Sequence, residues 1–119
     1  MQKDNPASDK SFEFAKKIVL LYKDIISKQK EYVLSKQILK SGTSIGAKIS
    51  EANGAISEAD FSSKISIAYK ECLETKYWLR LLFETSYITE FQYQKLFQNT
   101  DELAKILFSI LKKTRINKK

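Results

Sequence analysis

Apolar residues recur along this chain at spacings of three and four, the period that places them on one side of an α-helix. A first series runs through Phe14, Ala15, Ile18, Leu21, Tyr22 and Ile25, between Asp9 and a polar stretch around Gln29–Tyr32. A second runs through Leu34, Ile38, Ile45, Ile49 and Ala52 and meets Asn53-Gly54, a helix stop. Ser57, with Asp60 three residues on, reads as a hydroxyl N-cap opening a third helix. Its interior alternates threes and fours: Ile65, Ala68, Cys72, Thr75, Leu79, Leu82. A fourth helix opens at Thr89 with Gln92 as reciprocal cap and runs through Leu96, Leu103, Leu107 and Ile110. Phe97, Ala104, Phe108 and Leu111 give it a second stripe. The spacing predicts helices over 9–29, 33–53, 58–85 and 90–113 and no strand. With only three glycines and one proline, these runs are nearly free of breakers.

Four such helices of about 20 to 28 residues span about 30–40 Å each. Short links make sequential helices antiparallel neighbours, so the expected fold is all-α, an antiparallel up-down four-helix bundle. Residues 1–8 are expected as a disordered leader, 9–113 as the bundle and 114–119 as a basic C-terminal tail. Helices three and four carry more apolar surface than one small core uses, Tyr69, Trp78 and Phe97 included, which predicts self-association.

Helix two has a polar stripe beside its apolar one: Gln37, Ser41, Ser44, Lys48 and Glu51, at 4-3-4-3 spacing. It is read either as a solvated face or as a subunit interface or ligand lining. Gly42 and Gly46 permit close helix approach, at about 1 kcal/mol each relative to Ala. Ser44 and Lys48 have the spacing of a Ser–Lys dyad, but no nucleophile elbow or glycine-rich loop accompanies them.

Composition narrows the chemistry further. The 119 residues contain no histidine and one cysteine, so an imidazole base, a His-ligated metal and an intrachain disulfide are excluded. Glu71 and Glu74 share the spacing of a carboxylate di-metal motif but lack its histidine, and Glu74 is expected to pair with Lys70. Cys72 falls in the helix-three stripe and reads as a small buried hydrophobe. No catalytic residue, cofactor or metal is expected.

The 21 basic and 14 acidic side chains leave a net charge of +7, unevenly placed. Lys16, Lys17, Lys23, Lys28 and Lys30 crowd helix one, and the last eight residues hold five positive charges and no acid. Candidate nucleic-acid contacts are Lys36 and Lys40 on helix two and Lys112, Lys113, Arg115, Lys118 and Lys119 at the end. Arg80 and Arg115 are the only arginines and no base-reading motif occurs, so the predicted contact is sequence-independent and made to phosphates. The longest apolar run, Ile18–Tyr22, suits neither a signal peptide nor a membrane span. A cytoplasmic protein with no membrane partner is expected.

The segment Tyr32-Val33-Leu34-Ser35-Lys36-Gln37-Ile38-Leu39-Lys40-Ser41-Gly42-Thr43-Ser44-Ile45-Gly46-Ala47 resembles the signature of the 23S ribosomal RNA intervening-sequence proteins, small bacterial four-helix bundles. The resemblance continues through Ser50-Glu51-Ala52, Ala59-Asp60-Phe61, Lys64–Ala68, Lys70–Thr75 and Tyr77–Leu82. Lys48 and Ser50 stand where the family usually has Asn and Ala. The resemblance implies a homo-oligomer, commonly a ring of five, with no established enzymatic activity. The expected function is a non-catalytic, self-assembling binding or scaffold protein contacting RNA or a ribonucleoprotein. A protein–protein adaptor without a nucleic-acid role is the alternative, and an enzyme with a carboxylate-bound metal stands far behind both.

Overall fold

The computed structural model describes residues 6–117, with side chains through Thr114. Four helices make it up: α1 (Pro6–Gln29), α2 (Leu34–Asn53), α3 (Glu58–Glu84) and α4 (Glu90–Asn117). Among the described residues there is no strand.

The ends of the helices follow from local chemistry. α1 begins at Pro6 rather than Asp9, because proline suits a first turn whose N–H groups have no helical partner. Asp9 adds a favourable charge to that turn. Residues 6–8, expected in the leader, are therefore part of the packed domain. Ala7 is buried and Ser8 Oγ accepts a 2.8 Å bond from the Asn53 side-chain amide. At the other end α4 continues to Asn117, so the segment expected as a tail starts as helix.

Both predicted caps form. Ser57 Oγ accepts from the Asp60 N–H at 3.0 Å, while Thr89 and Gln92 cap each other reciprocally at 2.8 and 3.1 Å. α3 ends without glycine: Tyr87 N–H bonds to Leu82 O at 2.8 Å and Ser86 N–H to Phe83 O at 3.0 Å, the Schellman pattern. Ser86 occupies its left-handed position at φ 71°. The α1–α2 break, which no glycine or proline marks, is made by Lys30 at φ 55° and by Glu31. The Glu31 carboxylate accepts from the N–H groups of Val33, Leu34 and Ser35 at 3.0, 2.9 and 2.8 Å, satisfying the open first turn of α2.

Sequential helices pack side by side and α4 closes the set against α1, leaving the two diagonal pairs apart. Each contact is antiparallel. Ser8 meets Asn53, Lys76 ion-pairs with Asp101 at 2.7 Å while Phe83 stacks on Tyr93, and Lys10 pairs with Glu102 while Gln29 reaches Tyr87 O. The result is an antiparallel bundle of 49 × 22 × 20 Å. All six members of the predicted α3 stripe, Ile65, Ala68, Cys72, Thr75, Leu79 and Leu82, are fully buried at its centre. On α1 and α2 the core takes Phe14, Ile18, Leu21, Ile25, Ile38, Ile45 and Ile49.

Candidate functional site

The polar stripe of α2 does not form one surface. At about 100° per residue, Ser41 is the member turned furthest toward the Ile38–Ile45–Ile49 side, and it is buried. Its Oγ accepts a 3.0 Å bond from Thr75 Oγ1 on α3, so each hydroxyl satisfies the other inside the core. Gln37 and Glu51 stay exposed, and Ser44 and Lys48 are half-buried between these extremes. Lys48 Nζ turns to Glu51 at 3.4 Å along its own helix. Its ammonium therefore points along α2 toward a carboxylate, and no hydrogen bond among the described residues joins it to Ser44.

Across from this stripe on α3, Glu71 is half-buried. Burial and the neighbouring Glu74 push its carboxyl above the ordinary value, and Lys40 and Lys48 partly offset them. Glu74 accepts the Trp78 indole N–H at 3.1 Å, in place of the expected pairing with Lys70. Burial pushes the Cys72 thiol up to about 12, leaving it a hydrophobe rather than a nucleophile, as its place in the stripe predicts. Among the described residues no three carboxylate or thiol side chains converge.

The candidate basic residues fall into two groups. Lys40 lies level with Asp101, since Ser41 meets Thr75 and the adjoining Lys76 meets Asp101. Lys112 is eleven residues further along α4, about 16 Å away in axial rise, and Lys36 lies about 6 Å on the other side. Lys36, Lys40, Lys112 and Lys113 are all exposed. Arg115 lies in α4 with its side chain outside the described part, and Lys118 and Lys119 lie outside the described residues. Among the described residues, the α2 members of the predicted set and Lys112 and Lys113 thus form two separate groups.

Three surface features were not singled out from sequence. The first is a groove of about 320 Å³ between α1 and α4, where exposed Leu20 and Phe91 stand beside Lys17 and Lys95. The second, between α3 and α4, exposes Leu73 and Phe108, with Tyr77 one turn beyond Leu73. The third, of about 460 Å³ between α1 and α2, has small walls from Ala15, Thr43, Gly46 and Ala47 and an exposed Phe12 at its edge. Each needs two helices, and sequence signals only parts of them: Phe108 in the second stripe of α4, Gly46 as a point of close approach, and Leu20 and Phe91 as lone apolar residues on otherwise polar faces. The predicted apolar surplus on α3 and α4 is partly absorbed: Phe83, Tyr93 and Phe97 pack on one another at 4.7 and 5.5 Å between ring centres.

These features define a class, an all-α four-helix domain whose distinctive chemistry lies on helix faces. Among the described residues no helix is long and apolar enough to cross a membrane. The chain belongs to the 23S rRNA-intervening sequence protein family, whose model matches residues 3–109. It is similar to a crystal structure of a protein of unknown function from the S23 ribosomal protein family of Bacteroides thetaiotaomicron. The two share 56% identity over 89% of this chain and 98% of that one, with a TM-score of 0.88. No curated protein matches the chain.

Proposed function

We propose that this protein is a non-catalytic, self-assembling binding module of the cytoplasm that contacts RNA phosphates through exposed lysines. The observation that carries this reading is the set of exposed lysines that form no ion pair. Lys23, Lys36, Lys40, Lys70, Lys95, Lys112 and Lys113 make no ion pair with the described residues. Unpaired ammonium groups on a chain of net charge +7 favour a polyanion, and lysine rather than arginine favours phosphate contact over base readout.

Self-assembly gathers these charges, because one chain keeps them in separate groups. The α3–α4 face, with Leu73, Tyr77 and Phe108 exposed, lies opposite the α1–α2 face with its small-walled groove. Two unlike faces on opposite sides suit a head-to-tail contact, which closes into a ring when its rotation divides a full turn. A ring of five is the form the family resemblance implies.

Two measurements test the reading. Light scattering should give the mass of a multimer, and a mass near 13.8 kDa refutes assembly. Generic single-stranded RNA should bind with an affinity that falls steeply with salt. Deleting residues 112–119 removes five of the 21 basic side chains, and the slope should flatten by about 0.7 for each phosphate that is no longer neutralised. An absence of RNA binding by the full chain at low salt overturns the reading and leaves a protein–protein adaptor.

A further inference from the structure

We infer that the groove between α1 and α4 is a stacking site for an unpaired base of single-stranded RNA, with Phe91 as the platform and Lys17 and Lys95 as phosphate contacts. This rests on the RNA reading above and assigns it a place lined by none of Lys36, Lys40, Lys112 and Lys113.

Phe91 is 72% exposed and Leu20, across the groove, is 65% exposed. A bare phenyl ring beside a bare isobutyl group leaves apolar surface in water unless something flat covers it. What surrounds them is cationic. Lys95 follows Phe91 by one helical turn and projects on the same side, and Lys17 faces it from α1. The one acid at the groove, Asp24, is already held by Lys28 at 2.9 Å and does not neutralise either lysine. Lys17 donates to the uncharged Asn99 Oδ1 at 3.3 Å and makes no ion pair with the described residues; of the acids in the adjoining cavity, Glu13 is held by Lys16 and Glu102 by Lys10, leaving Asp9. Asn99 and Gln92 add amide groups to the same rim.

An exposed aromatic ring flanked by cations that form no ion pair is the arrangement that holds single strands: the ring takes a base face and the cations take the backbone. A second copy of this chain would have to bring acidic side chains to Lys17 and Lys95, whereas a phosphate backbone is anionic along its whole length. Duplex RNA fits poorly, since its base faces are occupied by stacking on one another.

The test uses the full chain and two fluorescent probes, a short uridine oligonucleotide and an RNA duplex. F91A should weaken oligonucleotide binding about tenfold with an unchanged salt slope, because stacking releases no counterions. F91Y should retain affinity, K95A should lower the slope by about 0.7, and duplex binding should be indifferent to F91A. At 72% exposure the F91A change should leave folding intact, which circular dichroism verifies. Should F91A bind the oligonucleotide as tightly as the parent chain, the stacking site is overturned while the general RNA reading stands. A drop in assembly mass for F91A makes the groove a contact between copies and also overturns it. If the parent chain binds no RNA at all, both readings fail together.

Discussion

Replacing Gly42 with alanine sets two effects of known size against each other. An alanine in a helix interior is favoured over glycine by about 0.8–1 kcal/mol. At this position its methyl group would lie 2.8 Å from Ile18 Cγ1, 3.0 Å from Cγ2 and 3.3 Å from Cβ. Ile18 is fully buried, and its branched side chain has one strongly preferred rotamer in a helix. The approach includes Ile18 Cβ, which moves only if α1 and α2 separate. Overpacking of this kind costs about 1–3 kcal/mol, so the clash outweighs the propensity gain and G42A loses about 1 kcal/mol net. Gly46→Ala supplies the control. Its methyl group meets Ser11 Oγ at 3.3 Å and Ser11 O at 3.4 Å, contacts that a few tenths of an ångström relieve. G46A should therefore be near neutral or slightly stabilising. In an Ile18→Ala background the two γ-carbons are gone and only Cβ at 3.3 Å remains, so G42A should be near neutral to stabilising, a coupling of about 1–2 kcal/mol. Urea unfolding at one fixed protein concentration measures all four variants, since any association of chains would make apparent stability depend on concentration. The reasoning is refuted if G42A is more stable than the parent, or if its effect is the same with and without Ile18.

Glu31→Gln should destabilise the chain at neutral pH by about 1 kcal/mol, the usual worth of an N-terminal cap. Partial burial pushes the Glu31 carboxyl up, but the N–H groups of Leu34, Ser35 and Val33 and the Ser35 hydroxyl outweigh it and hold the carboxyl below 4.5. A depressed folded value means that its contribution is complete above 4.5 and disappears as pH falls through the folded value. The gap in urea midpoint between parent and E31Q should therefore close in acid, and a gap constant with pH refutes the cap. Ser41→Ala should cost about 1–3 kcal/mol by leaving the buried Thr75 hydroxyl without an acceptor, whereas S41A combined with Thr75→Val should be much closer to the parent. Midpoints for the single and double variants decide it, and strict additivity sinks the idea that the two hydroxyls serve only each other.

The elements were legible because each helix declares itself locally. The α3 stripe from Ile65 to Leu82 was read from spacing alone and is buried at every position. Glu31 was missed because a carboxylate two residues outside a helix has no fixed sequence pattern, and only the loop geometry at Lys30 brings it over the open N–H groups. On α4 spacing alone leaves the rotation open. The core runs between the two predicted stripes, taking Leu103 and Leu107 from one and Ala104 and Leu111 from the other, while Phe108 is left 44% exposed. Which side of a doubly apolar helix is covered depends on where its neighbours stand, and that is not local information. The α1–α4 groove is the extreme case. Lys17 and Asn99 meet across 82 residues of chain, so Leu20 and Phe91 share a rim only because α4 returns to close the bundle against α1. In sequence each is an isolated apolar residue on a polar face, the kind that ordinarily needs no explanation. Chain closure turns them into a pair with two lysines beside them, so the surface grooves of this bundle belong to helix pairs while its core stripes belong to single helices.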